Sequence, residues 1–213
     1  TTEKMFIGNN MYNAYYYISN ANHMNPIISI ANLEKRLAEV GSKVSRAEFL
    51  PEVAIIGSGV IGSHQLSDMI PRWAVGIEVN LRLFDGLSSQ NRYYSSRLME
   101  QAANNAVEST RDNIRLLVEK EYYTLIDSHS AIISSQSLIE YAESYLTTAI
   151  EGFREGITTS SDLIDAQVEL AAAKLRYADA AYNYCIALAK LLEATGMSYE
   201  FINIAQSGSP IEI

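Results

Sequence analysis

The sequence predicts a mainly α-helical chain carrying one β-hairpin, and three observations lead there. Apolar residues recur every three and four positions along long segments, and one run alternates apolar and polar residues. Only Pro26, Pro51, Pro71 and Pro210 interrupt 213 residues, so the elements should be long. An apolar content of 48% with 19% charged residues argues against disorder. No stretch approaches 18 uninterrupted apolar residues, so a membrane-spanning helix is not expected. With 25 acidic residues against 16 basic ones, nucleic acid is not an expected partner. The single Cys185 excludes a disulfide scaffold.

The segment from Met11 to Asn25 is a Tyr- and Asn-rich entry ahead of the first predicted helix. Pro26 suits the first turn of a helix. From there Ile30, Leu33, Leu37, Val40, Val44 and Ala47 form one apolar stripe, which Pro51 ends. A first apolar run, Val53 to Ile61, is followed by a polar stretch from Gly62 to Arg72. Then Trp73, Val75, Ile77, Val79, Leu81 and Leu83 fall on one face of a strand, with Ala74, Gly76, Glu78, Asn80 and Arg82 on the other. Such a strand is long enough to cross the apolar layer of a membrane when tilted.

After Gly86 no proline appears until Pro210, and Leu87 to Glu155 reads as one helix of roughly 70 residues, about 100 Å long. Val118, Leu125, Ile132, Ile139, Leu146 and Phe153 stand seven apart along its distal half. Gly156 is the natural C-cap, and Thr158 to Ser161 offer N-caps for a last helix. That helix carries a row Leu163, Leu170, Tyr177, Tyr184, Leu191 and an all-alanine row Ala166, Ala173, Ala180, Ala187, Ala194. Sustained heptads specify helices that coil around neighbours, and a row of alanines lets them approach closely. Gly196 ends the helix, and the tail reads as short and irregular. The last helix is expected to pack back along the distal half of the long one, and the first helix to cover the proximal half.

Gly57, Gly59 and Gly62, with Glu78 about 20 residues on, match the dinucleotide-binding fingerprint. That site needs a helix opening at Gly62 and a parallel sheet, and the chain supplies neither: Pro71 cuts the segment, and no further long strand follows. The better reading is glycine marking a bend or close approach in a strand. No cofactor or metal is expected.

A period-two run does not say what its apolar face touches. A soluble coiled-coil structural or adaptor protein could fold the hairpin onto itself. However, every helix has its own seam to fill, and two strands alone are unstable in water. In lipid, sheet edges must close into a barrel, and the smallest barrels have eight strands. A membrane hairpin would therefore need other copies or a further part of the protein. Glu78, Asn80 and Arg82 would then face a water-filled lumen, and Trp73 and Phe84 would anchor the two interfaces.

Three segments, in order, resemble the TolC-like outer membrane efflux proteins. Asn25-Pro26 through Ser45-Arg46-Ala47-Glu48-Phe49-Leu50-Pro51 is similar to the family's "NP…ARA-x-LP" segment. Trp73-Ala74-Val75-Gly76-Ile77 through Leu83-Phe84-Asp85-Gly86 is similar to its "W-x-x-G…LFDG" strand. Phe153-Arg154-Glu155-Gly156 through Asp162-Leu163-Ile164-Asp165-Ala166 is similar to its periplasmic turn. The resemblance implies a homotrimer whose protomers each carry two helix–strand–strand–helix repeats, forming a transmembrane β-barrel continued by an α-barrel tunnel. It implies placement in the bacterial outer membrane, reaching into the periplasm, with a periplasmic adaptor and an inner-membrane pump as partners. On this reading the chain is the second repeat of a longer protein, a passive, non-enzymatic exit duct for efflux or type I secretion. Residues 1–25 would be an equatorial segment, 26–50 and 86–196 the tunnel, 51–85 the membrane hairpin and 197–213 a tail.

The resemblance also implies site residues. Asp162 and Asp165 match aspartates that ring the tunnel's constricted end, although aspartate in a first helical turn also stabilises the helix by itself. Thr158 stands where some members place an arginine, which puts a gate-locking ion pair there in doubt. Gly152, Gly156, Ile157, Thr158, Thr159, Ser160 and Ser161 are the expected adaptor contact, and Trp73, Val75, Ile77, Val79, Leu81 and Leu83 the lipid face. His23, His64 and His129 share no ligand spacing, and Asp127, Ser128 and His129 on one helical turn cannot converge as a triad. Cys185, Tyr177 and Tyr184 read as packing residues.

Overall fold

The structure, a computed structural model, describes residues 6–7, 12–59 and 73–210. In chain order the elements are β1 (Phe6–Ile7), α1 (Ala14–Met24), α2 (Pro26–Ala47), β2 (Glu52–Gly59), β3 (Trp73–Asn80), α3 (Ser88–Arg154), α4 (Ser160–Thr195), α5 (Glu200–Ser207) and β4 (Ser209–Pro210). Contacts divide the chain into two compact units, Thr1–Ile30 with Ser109–Ile213, and Ala31–Glu108.

The first unit is held by a helical core. Val118, Leu125 and Ile132 of α3 are buried together with Ala180, Ala181, Tyr184, Ala187, Leu188 and Leu191 of α4. Ile139 and Leu146 are half-buried and Phe153 is exposed, so burial along the seven-residue row declines towards the end of α3. A companion row, not read from the sequence, runs four residues ahead of it. Ile114, Glu121, Ser135, Ala142 and Ala149 are buried there, and Ser128 is half-buried. Five of these six are polar or small, so hydropathy alone does not reveal the row, yet small residues let helices approach closely. The α4 alanine row is buried throughout, as its heptad predicts.

The opening segment departs from expectation. Asn13 accepts the Tyr16 N–H at 3.0 Å, which caps α1, and Tyr17 and Ala21 enter the core. The tail also departs, because Glu200–Ser207 is helical and Ser209–Pro210 pairs antiparallel with Phe6–Ile7.

Three helix ends meet at Asn25, which is only 2% exposed. Its backbone N–H donates to Ala21 O at the end of α1 (3.0 Å). Its side-chain oxygen accepts the Ile27 N–H at the start of α2 (2.8 Å). Its amide donates to Ala194 O near the end of α4 (2.7 Å), across 169 residues of sequence. Gly196 ends α4 with φ 76°, and a Cβ there would lie 2.5 Å from Met24 O. The glycine is thus fixed both by its left-handed backbone and by the chain passing over it.

In the second unit the α2 stripe lies outward. Leu33, Leu37, Val40 and Val44 are exposed, Leu37 by 73%. The buried side carries Ala31 and Ser42, with Lys35, Ala38 and Ser45 half-buried, two residues out of step and so nearly opposite. The helix therefore has two seams, one small-residue and buried, one apolar and uncovered in this chain.

β2 and β3 pair antiparallel from Glu52↔Asn80 to Gly59↔Trp73, and every residue of both is exposed. The alternating strand stops at Asn80, earlier than its hydropathy, because β2 begins only after Pro51, which has no N–H to donate. Leu81, Arg82 and Leu83 lie beyond the ladder and are exposed. Gly57 and Gly59 sit inside β2, opposite Val75 and Trp73, rather than in a strand-to-helix turn. Gly62, His64 and Pro71 lie outside the described residues. Among the described residues no helix is long and apolar enough to cross a membrane.

Gly196→Ala should destabilise the first unit by about 1–3 kcal/mol, from left-handed strain and the Met24 clash together. Asn25→Ala should cost about as much by leaving a buried carbonyl unpaired. Thermal melts followed by helical circular dichroism read both, and unchanged midpoints would show that this joint is not a stability determinant.

Candidate functional site

Two places collect the residues singled out from the sequence. The first is the α3–α4 turn. Gly156 takes a left-handed conformation at φ 74° and donates its N–H to Phe153 O at 3.1 Å. The N–H groups of Ile157 and Thr158 both reach back to Gly152 O, at 2.8 and 3.2 Å, satisfying carbonyls that a helix end leaves open. The Thr158 hydroxyl donates to Ala149 O at 3.1 Å, folding its side chain against α3. A Cβ at Gly152 would lie 2.8 Å from Thr158 Cγ2, so glycine is needed there for the threonine to dock. Where an arginine would reach outward, Thr158 is turned in and structural. The pairing of Gly152 with Thr158 is a signal the sequence holds only in outline, as a second glycine four residues before the cap.

The turn then starts α4 with a capping box. Thr159 Oγ1 accepts the Asp162 N–H at 3.3 Å, while Asp162 Oδ2 accepts the Thr159 N–H and hydroxyl, both at 2.7 Å. The Thr159 backbone N–H first, and its hydroxyl second, hold the Asp162 carboxyl below its ordinary pKa of 3.8. Both readings of this residue therefore concern one carboxylate, with Oδ2 committed to the cap. Asp165 stands three residues on, on the same side of the helix, and is exposed. Ile157 projects at the turn with 75% of its surface exposed, flanked by exposed Phe153, Ser160 and Ser161. The arrangement is a rigid, solvent-exposed turn bearing an apolar tip and a pair of carboxylates.

The second place is the hairpin. Val53 faces Val79 and Ile55 faces Ile77 across the ladder, and Gly57 and Gly59 continue the same side opposite Val75 and Trp73. That side is apolar from end to end and uncovered, with Ile77 74% exposed. Glu52, Glu78 and Asn80 lie on the other side, with Ala54, Ile56 and Ser58. Eight residues per strand span about 26 Å, close to the apolar band of an outer-membrane barrel.

The remaining candidates do not converge into chemistry. The Ser128 hydroxyl donates to Thr124 O at 2.8 Å, His129 packs its ring 6.0 Å from that of Tyr184, and Asp127 is exposed. Cys185 is half-buried against the helical core.

The family model for outer membrane efflux proteins matches residues 17–197. The chain belongs to this family. No curated protein sequence is significantly similar. Among solved structures, the Campylobacter jejuni CmeC outer membrane channel matches with a TM-score of 0.80 at 16% identity, covering 94% of this chain and 44% of that one. The open-state Neisseria gonorrhoeae MtrE outer membrane channel matches with a TM-score of 0.74 at 20% identity, over 87% of this chain and 42% of that one. CusC matches with a TM-score of 0.78 at 15% identity, over 91% and 45%. The chain thus spans less than half the length of each channel it matches, and it shares their fold. As an outer membrane efflux protein it is placed in the outer membrane, reaching into the periplasm.

The Asp162 carboxyl ionises below pH 3.8 in the folded chain, so its contribution is complete above that pH and is lost as pH falls through the folded value. Protection of the turn amides from hydrogen exchange should therefore differ between the parent protein and Asp162→Asn at pH 6, and the gap should close as pH falls through the folded value. A gap independent of pH would mean the carboxylate charge has no part in the cap.

Proposed function

We propose that the chain supplies one helix–strand–strand–helix repeat of a trimeric outer-membrane channel, which serves as a passive exit duct without chemistry of its own. The observation that carries this reading is the hairpin, whose apolar side is exposed along its length and whose outer edges are unpaired among the described residues. Such a hairpin is stable only when further strands close it into a barrel and lipid covers its outside. Two repeats in each of three protomers would supply twelve strands. Trp73, Val75, Ile77 and Val79, continued by Leu81 and Leu83, face lipid, and Glu78, Asn80 and Arg82 face the lumen.

At the α3–α4 turn, Asp162 and Asp165 ring the periplasmic mouth. Three copies of each place six carboxylates around it, favouring cations over anions. The cap and the gate are compatible roles, because the cap fixes Asp162 in place while Asp165 stays uncommitted. Gly152, Gly156 and Ile157 to Ser161 form the surface for a periplasmic adaptor, which links the duct to an inner-membrane pump. Ile157 is the apolar anchor of that contact, and Thr158 keeps the turn rigid beneath it.

Reversal potentials of the full-length protein in planar bilayers, under a salt gradient, test this reading. The parent channel should be cation-selective, and Asp162→Asn/Asp165→Asn should lower the cation-to-anion permeability ratio several-fold. Equal selectivity in the two proteins would remove the gate assignment, and no conductance from the parent protein would overturn the duct.

A further inference from the structure

Below the hairpin, in the second unit, lies an open groove of about 840 Å³ that the duct reading does not use. Its walls come from two helical pairs spaced three apart and from the turn that leads to β2. Lys43 and Arg46 lie on one side, Gln90 and Tyr93 on the other, and Phe49 and Leu50 close one end. Phe49 and Tyr93 meet edge to face with ring centroids 6.1 Å apart, making a fixed aromatic wall.

The charges are distributed unevenly. Glu48, the nearest acid in sequence, is occupied by Arg92, whose guanidinium lies 2.8 Å from its Oε2. Glu39, one turn before Lys43, pairs with Lys35 at 3.9 Å. Lys43 and Arg46 are both exposed, and among the described residues neither has an ion-pair partner. The groove thus offers two uncompensated cations beside an aromatic and aliphatic wall.

Its position along the chain sets what can reach it. Leu50 stands two residues before Glu52, where the barrel strand begins. The strands span about 26 Å, so their helix-side ends lie at one boundary of the apolar layer. Exposed Leu83, Phe84 and Leu87 stand at the same end of the hairpin, a composition typical of membrane interfaces. A ligand at this level has its charge at the headgroup layer and its apolar part towards the hydrocarbon. Basic pockets beside membrane-spanning elements suit acidic lipid headgroups for this reason.

We propose that this groove binds an anionic phospholipid of the periplasmic leaflet. The phosphate accepts hydrogen bonds from Lys43 Nζ and the Arg46 guanidinium, and the glycerol and first acyl carbons lie against Phe49, Leu50 and Tyr93. Gln90 supplies a neutral donor on the opposite wall. The bound lipid would seal the step between barrel and helices where the ladder stops at Asn80. This inference rests on the hairpin being inserted in the membrane.

The test uses full-length protein in nanodiscs of phosphatidylethanolamine with phosphatidylglycerol, with native mass spectrometry reading the lipid retained on release. Lys43→Gln/Arg46→Gln should bind phosphatidylglycerol about thirtyfold more weakly, taking roughly one kcal/mol for each charge near the surface. Arg46→Lys should keep most of the binding, and Phe49→Ala should weaken retention of the lipid without removing its preference for the anionic headgroup. Equal retention by the double variant would overturn the site. So would equal binding of phosphatidylcholine, or displacement of the lipid by millimolar inorganic phosphate, which would make it a free-anion site. If the parent protein fails to enter the nanodiscs, the membrane reading of the hairpin falls, and this site falls with it.

Discussion

The rest of the molecule depends on an unpaired two-stranded sheet. β2 and β3 satisfy each other along one edge each, and among the described residues nothing pairs the other edges or covers either face. In water such a ribbon is marginal, and in lipid it is untenable until its remaining N–H and C=O groups are paired. The apolar alternation of Val53, Ile55, Val75, Ile77 and Val79 has a cause under the proposed function: one side would meet hydrocarbon, and only that side is uniformly apolar. Closure with strands outside the chain follows from the same constraint. An individual helical unit has no comparable need.

The helices of the first unit carry their own core. Long rows of small residues, Ala166 to Ala194 on α4 and Ser135, Ala142 and Ala149 on α3, are buried. Large residues are concentrated where the unit needs an anchor, around Tyr17, Leu125, Tyr184 and Leu188. The ends of the elements are fixed by polar geometry rather than by burial. Asn25 joins three helix ends with three hydrogen bonds, and the α3–α4 turn is secured by Thr158, Thr159 and Asp162. The α2 stripe from Leu33 to Val44 is exposed, and in the proposed trimer it would be free to meet another repeat.

Much of this was legible in the sequence where a single physical rule dominates. Pro26, Gly156 and Gly196 mark helix ends because one residue type suits each position, and all three boundaries are found there. The period-two run locates β3 because one of its faces is purely apolar. The α1 helix was not legible, because Tyr and Asn are weak helix formers, and the Asn13 cap and the burial of Tyr17 and Ala21 help to stabilise it. The α2 stripe was legible as a helix but not in its direction, since hydropathy cannot say whether an apolar face meets its own chain or another. The turn was legible in its glycine and cap positions, whereas the inward docking of Thr158 depends on a three-dimensional contact with Gly152. Asp162 shows the same limit: its cap follows from the Thr-x-x-Asp spacing, but the gate role proposed for it would depend on copies of the chain.

The central claim is that the hairpin crosses the outer membrane with Ile77 towards lipid and Glu78 towards water. Spin labels placed singly through Ile77→Cys and Glu78→Cys, on a Cys185→Ser background of the full-length protein in liposomes, measure this directly. The account predicts that the label at 77 is relaxed chiefly by dissolved oxygen and the label at 78 chiefly by a water-soluble nickel chelate, with the alternation continuing along Val75 to Val79. Equal access of the nickel chelate to both positions would contradict it.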